Sequence, residues 1–223
     1  MKIQDFFQKG YYINLDRRTD RKQYFEQHTK QLGLEGFFER HSGVDGFDEV
    51  DLYKPEETVT VKKGLCCSKA FHNVFKKAKE DGAERMLVCE DDIGFLPGGQ
   101  ELVEKALDQL QQFPNWDMIY FGGLVIGGEE TVQVSENLLK ANTILTLHAV
   151  GYNTKCLDKV LEYKPYEECI YDGWMGQRHY WEKYLIYPAA VIQIEGPSDI
   201  DASGYAISTN HWLSNYDSII IKK

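Results

Sequence analysis

Met86-Leu87-Val88-Cys89-Glu90-Asp91-Asp92 carries an apolar run straight into three carboxylates. Four consecutive apolar residues in this setting predict a buried strand. The acidic triplet then emerges at that strand's carboxyl end, where open α/β sheets place their ligand sites. Adjacent carboxylates repel one another unless a positive charge is near, and hard oxygen ligands at this density suit Mg²⁺ or Mn²⁺. A cation held to meet a phosphate is one reading of the triplet; a solvated acidic turn is the other.

Outward from this strand, helical and extended patterns alternate. Tyr11-Tyr12-Ile13-Asn14-Leu15 is a short apolar run, and Tyr24, Phe25, His28 and Leu32 follow at helical spacing before Gly33. A second strand is predicted around Phe37 to Arg40, leading into the loop Gly43-Val44-Asp45-Gly46. Leu65, Ala70, Phe71, Val74, Phe75 and Ala78 share one face of a helix running from Leu65 to Lys79. Beyond the triplet, a helix from Gly99 to Phe113 and a strand from Asp117 to Phe121 complete a strand-helix repeat. The pattern predicts an α/β fold with a mainly parallel sheet flanked by helices. The second half is less regular: a strand over Thr143 to Val150, a helix over Thr154 to Glu162, and a strand over Ile186 to Ile194 interrupted by Pro188.

With 223 residues, 43% of them hydrophobic, the chain can bury one full core, and no linker, repeat or low-complexity tract divides it. A single domain over 1–223 is expected. The formal net charge of −10 argues against a nucleic-acid partner, since that affinity needs clustered Lys and Arg. No stretch is long and apolar enough to be a transmembrane segment, and Met1 to Phe7 lacks a signal-peptide core. Five cysteines, with Cys66 and Cys67 adjacent, form neither an even disulfide framework nor a zinc spacing. Reduced thiols and a cytoplasmic protein are the expectation.

Taken in order, Ile13-Asn14-Leu15-Asp16-Arg17 with Arg21, Val44-Asp45-Gly46, Gly64 with Ser68, Glu90-Asp91-Asp92, Trp116 to Tyr120 before Gly122-Gly123, Asp172, and Ser198-Asp199-Ile200 resemble glycosyltransferase family 25. That family includes bacterial lipooligosaccharide glycosyltransferases and collagen galactosyltransferases. The resemblance spans nearly the whole chain and implies a GT-A fold, a nucleotide-sugar donor (a UDP-sugar foremost) and Mn²⁺ or Mg²⁺. Residues up to about 123 would then form the nucleotide-sugar half and those from about 124 the acceptor half. Two departures stand out: Ser68-Lys69 where the family usually has Ser-His, and Gly64-Leu65 where it has Gly-Cys.

On this resemblance Glu90-Asp91-Asp92 looks like the family's Asp-x-Asp motif, with Asp92 the direct metal ligand, Glu90 its support and Asp91 beside them in the nucleotide-sugar set. Asn14 and Leu15 end the first strand, where backbone groups can meet a base. Arg21 starts a helix, with positive charge to offer a phosphate, and Asp45 can hydrogen-bond a ribose or base; an arginine on a solvated face and a plain turn aspartate are the alternatives. Gly64 would admit the donor closely and Ser68 would donate to sugar or phosphate; the bland alternative is the start of a helix. Asp172, among Tyr171, Trp174 and Trp181, resembles the general base acting on an acceptor hydroxyl; a helix-capping aspartate is its competitor. Asp199, His148 and His211 are further ligand candidates.

The function so implied is a metal-dependent, inverting glycosyltransferase acting on a glycan or glycoconjugate. A sugar-phosphate nucleotidyltransferase would want a glycine-rich loop after the first strand, and Asp16-Arg17-Arg18-Thr19-Asp20 has no glycine. A non-catalytic nucleotide- or glycan-binding domain is the third class.

Overall fold

The computed structural model describes residues 1–46, 59–126, 131–164, 170–176, 179–200 and 209–222. Strands β1 (Lys9–Asn14), β2 (Phe38–Ser42) and β3 (Arg85–Glu90) alternate with helices α1 (Ile3–Phe6), α2 (Thr19–Gln31) and α3 (Val59–Asp81). Next come β4 (Ile93–Phe95), α4 (Gly99–Leu110), β5 (Met118–Tyr120), β6 (Leu124–Val125), β7 (Thr131–Ser135), β8 (Leu138–Lys140), β9 (Ile144–Leu145) and β10 (Ala149–Asn153). The chain closes with α5 (Leu157–Val160), α6 (Tyr171–Gly176), β11 (Lys183–Ile186), β12 (Val191–Gln193), α7 (Thr209–Ser218) and β13 (Ile221–Lys222).

Nine of these strands form one sheet in the order β13-β7-β8-β11-β5-β10-β3-β1-β2. Only β10 and β8 run against the rest: β10 is antiparallel to both β3 and β5, and β8 to both β11 and β7. The fold is therefore α/β with a mostly parallel sheet. The inner strands β1, β3, β5, β10 and β11 are buried without alternation because both faces are covered. Met86 and Val88 pack with Phe71, Val74 and Phe75 of α3, while Leu87 and Cys89 pack with Val103, Ala106 and Leu107 of α4. No helix among the described residues is long and apolar enough to cross a membrane.

Three second-half expectations are corrected. The segment 143–150 is two strands, β9 and β10, in different sheets, because Thr146 between them has φ 71°, a left-handed conformation that no strand continues. The segment 186–194 is likewise split, β11 lying in the main sheet and β12 pairing with β4. Thr154 to Glu162 shortens to a 3₁₀ turn over Thr154–Cys156 followed by α5.

The path of β12 matters for the site. Val191 N–H donates to Phe121 O at 3.2 Å, Leu96 N–H to Ala190 O at 3.0 Å, and Ile194 N–H to Asp92 O at 2.8 Å. A Cβ on Gly122 would stand 1.9 Å from Val191 O, so only glycine lets this backbone pass. Gly122→Ala is expected to destabilise the fold by about 1–3 kcal/mol, the usual cost of overpacking. The melting temperature should then fall by roughly 2–12 °C in a thermal scan; an unchanged value would mean that β12 does not run against Gly122.

Candidate active site

The parallel register aligns Ile13 of β1 with Glu90 of β3, so Asn14 comes out of the sheet alongside Asp91. One cleft opens here, at the carboxyl ends of β1, β2 and β3. Leu15, the turn from Gly43 to Gly46, and Glu90, Asp91 and Asp92 form its walls, with Arg17, Arg21 and Asp199 at its rim. Strand order reverses at this point, since the chain moves from β1 to β2 on one side and returns to β3 on the other. Such a switch point is the usual ligand crevice of an open α/β sheet. A second cleft adjoins it, lined by Gly64, Ser68, Thr146, Ile170, Tyr171 and Asp172. Cys67, Glu90, Gln193 and Ile200 line both.

Asp91 and Asp92 are buried, Glu90 is partly buried, and all three are held by polar partners. Asp91 Oδ2 accepts from Asn14 Nδ2 at 2.6 Å and its Oδ1 from Arg21 at 3.1 Å. Asp92 Oδ2 lies 3.0 Å from the same Arg21 nitrogen, and Glu90 Oε2 accepts from Gln193 Nε2 at 2.8 Å. Among the described residues, the buried Asp92 Oδ1 has no hydrogen-bond partner. Burial raises all three carboxyls. Glu90 moves well above the usual range, with repulsion from Asp92, Asp91 and Asp172 adding to burial and Arg21 opposing. Asp92 rises to about 6 by burial against the pull of Arg21. For Asp91, burial outweighs Asn14 and Arg21.

A donor set of oxygens with one orphaned buried carboxylate oxygen fits a hard divalent cation. Among the described residues, no group of three or more His, Cys, Asp or Glu is disposed to hold a metal. A pair of carboxylates still suffices where phosphates and water complete the coordination, as is common for Mg²⁺.

The remaining residues divide between the clefts. Asn14 is 1% exposed, and its side chain is consumed by Asp91, Arg18 O and Arg40. It therefore braces the acidic turn. Leu15 O accepts from Arg18 N, closing the turn into α2. Arg17 bridges Asp45 at 2.7 Å and Asp199 at 2.8 Å, and Arg18 also pairs with Asp199. Gly64 and Ser68 both lie within α3 and on the second cleft, not the arginine-rimmed one. A Cβ on Gly64 would meet Ile170 Cδ1 at 2.6 Å, so the close approach there is Ile170. Ser68 Oγ donates to Gly64 O at 2.8 Å and accepts from Tyr171 N at 3.0 Å, tying α3 to the first turn of α6. Asp172 follows in that turn, its Oδ1 accepting from Gly173 N–H at 2.6 Å. Burial raises its carboxyl against the backbone N–H groups of Gly173 and Thr146. His148 is fully buried, driven down to about 4 by burial, and faces Thr146 and Val191 O instead of a cleft. The side chain of His211 lies outside the described residues.

Two contributors leave no mark in the sequence. Gln193 reaches Glu90 across the fold, and Lys183, fully buried, donates to Met175 O and Gly176 O at the end of α6. Neither belongs to a motif.

A "Glycosyltransferase 25 family member" of Aedes aegypti is 29% identical over 178 residues, 72% of this chain and 29% of that protein. The rat "Probable inactive glycosyltransferase 25 family member 3" is 30% identical over 100 residues, 43% of this chain and 17% of that one. The chain is thus similar to members of glycosyltransferase family 25. It spans less than a third of the length of either relative. No family model matches. Among solved structures, UDP-glucose pyrophosphorylase complexed with UDP-glucose aligns with a TM-score of 0.47 at 10% identity, covering 94% of this chain and 80% of that one.

The raised carboxyls fix a sign for stability. A carboxyl raised in the fold holds its proton more tightly folded than unfolded. Its contribution is therefore complete below the ordinary carboxylate range and is lost as pH rises through the folded value, about 6 for Asp92. Without added cation, the melting temperature should fall between pH 4.5 and 7, and Asp92→Asn should melt a few degrees above wild type at pH 7.5. A lower melting point for the variant would show that the Arg21 ion pair outweighs burial.

Proposed function

We propose that the two adjoining clefts form the active site of a metal-dependent glycosyltransferase. It would move a hexose from a UDP-sugar to a hydroxyl of a glycan or glycoconjugate with inversion. The observation that carries this reading is the buried Glu90-Asp91-Asp92 turn, with its orphaned Asp92 oxygen, at the wall between an arginine-rimmed cleft and one holding Asp172. Similarity to glycosyltransferase family 25 members supports it from the sequence side.

Glu90 and Asp92 are the residues that would hold Mn²⁺ or Mg²⁺, and such a cation neutralises charge growing on a departing diphosphate. Arg21 and Arg17 bring positive charge to the same cleft. Leu15 and Val44 give it an apolar wall suited to a base, and Asp45 can meet a ribose. On the other side, Asp172 accepts the proton of the acceptor hydroxyl as its oxygen attacks the anomeric carbon. The bond to the diphosphate breaks in the same displacement and its electron pair leaves with the diphosphate. A single displacement inverts the configuration. Burial makes Asp172 a stronger base than a solvated carboxylate, which favours this role.

Mn²⁺ together with UDP is expected to raise the melting temperature, with Asp92→Asn abolishing both the shift and transfer. A panel of nucleoside diphosphates at millimolar concentration that leaves the melting point unmoved would sink the reading.

Asp172→Asn should cut transfer by roughly two to four orders of magnitude, the usual contribution of a positioned base, with UDP affinity retained. Near-wild-type transfer by this variant would reduce Asp172 to a helix cap, and joint loss of UDP affinity would place it on the donor side.

A further inference from the structure

If the arginine-rimmed cleft takes the nucleotide and the Asp172 cleft the acceptor, the donor sugar must sit where they meet. The shared wall there comprises Cys67, Glu90, Gln193 and Ile200. Cys67 is a thiol that burial and the nearby carboxylates raise far above its usual range, so it behaves as a small apolar group. Ile200 is apolar, and Glu90 is committed to the acidic turn. Gln193 is the one neutral hydrogen-bonding side chain of the four.

Its frame is rigid. Val191 N–H is bonded to Phe121 O and Ile194 N–H to Asp92 O, so backbone bonds hold the strand on both sides of Gln193. Nε2 donates to Glu90 Oε2 at 2.8 Å, and the amide also lies near enough to Asp92 to favour its ionised form. With its nitrogen given to Glu90, the amide turns its carbonyl oxygen elsewhere. Among the described residues Gln193 Oε1 receives no hydrogen bond.

We propose that Gln193 is a donor-specificity residue: its carbonyl oxygen accepts a hydrogen bond from a hydroxyl of the transferred hexose, while Glu90 fixes the amide's orientation. The inference rests on the glycosyltransferase reading, and it selects a neutral hexose with a hydroxyl directed at Gln193. A pocket that hydrogen-bonds a hydroxyl discriminates against sugars that lack it or direct it elsewhere, because a bound sugar then covers the acceptor and leaves it unpaired.

The test measures affinities of UDP, UDP-glucose, UDP-galactose, UDP-N-acetylglucosamine and UDP-glucuronate by calorimetry with Mn²⁺. Wild type is compared with Gln193→Met and Gln193→Asn, using whichever variant melts with wild type. The readout is each sugar nucleotide's affinity relative to UDP, which a merely structural loosening of Glu90 would leave unchanged because it weakens both alike. Wild type should prefer one hexose, and the variants should lose about tenfold of that preference, with UDP itself held within threefold. An unchanged ratio, or a wild type that binds all five compounds alike, overturns the assignment while leaving the glycosyltransferase reading in place. A wild type that binds neither UDP nor any of these sugar nucleotides overturns both.

Discussion

Withdrawal of three consecutive carboxylates from water at the end of β3, Asp91 and Asp92 fully and Glu90 in part, is the constraint around which this structure is arranged. Removing a carboxylate from water is costly unless donors replace the lost hydration. Asn14 from the neighbouring strand reaches Asp91, Arg21 from α2 reaches both Asp91 and Asp92, and Gln193 from β12 reaches Glu90. These donors come from positions 14, 21 and 193, so the turn takes its geometry only when β1, α2, β3 and β12 are all in place. The raised Glu90 and Asp92 carboxyls show that the compensation is partial. Stored electrostatic cost of this kind is characteristic of binding sites, where a ligand completes what the fold leaves open.

The division into two clefts follows from the sheet. Parallel β1, β2 and β3 deliver their carboxyl ends to one crevice, whereas β10 enters beside β3 in the opposite sense. The segment before β10 therefore arrives where β3 ends: Glu90 N–H bonds to His148 O at 2.8 Å. Thr146 and Leu147, just upstream, line the second cleft with α6. That arrangement puts Glu90 on the boundary. Its side chain shares the sheet face of Met86 and Val88, the face covered by α3, and Cys67 and Ser68 of α3 form the adjacent wall.

The first half of the fold was legible because its signals are local. Apolar runs of four or five residues and helices with repeated apolar faces locate β1, β3, α3 and α4 to within a few residues, apart from α3, which begins at Val59 and not Leu65. The second half is built from strands of two to five residues whose partners lie far away in sequence. A left-handed Thr146 and the change of sheet between β11 and β12 have no periodic signature. The acidic triplet and Asp172 were readable as residue types in order, but their partners were not. Asn14 as a brace, Ser68 as a tie to Tyr171, and Gln193 on Glu90 are tertiary hydrogen bonds across 77, 103 and 103 positions. Gly64 illustrates the same limit: a glycine signals close approach, but only packing identifies Ile170 as what approaches.

Electrostatics joins the fold to the proposed chemistry. Among the described residues lining the first cleft, Asp45, Glu90, Asp91, Asp92 and Asp199 oppose Arg17, Arg21 and Lys63, five carboxylates against three cations. The guanidiniums are already engaged: Arg17 with Asp45 and Asp199, Arg21 with Asp91 and Asp92. A diphosphate entering alone would add negative charge to a cleft whose carboxyl groups already outnumber its cations, in a partly desolvated crevice where each like-charge contact costs more than in water. A divalent cation would offset that added charge. The same carboxylates that burden the free fold would then anchor a nucleotide, which ties the pH sensitivity of the empty cleft and its proposed dependence on Mn²⁺ or Mg²⁺ to a single cause.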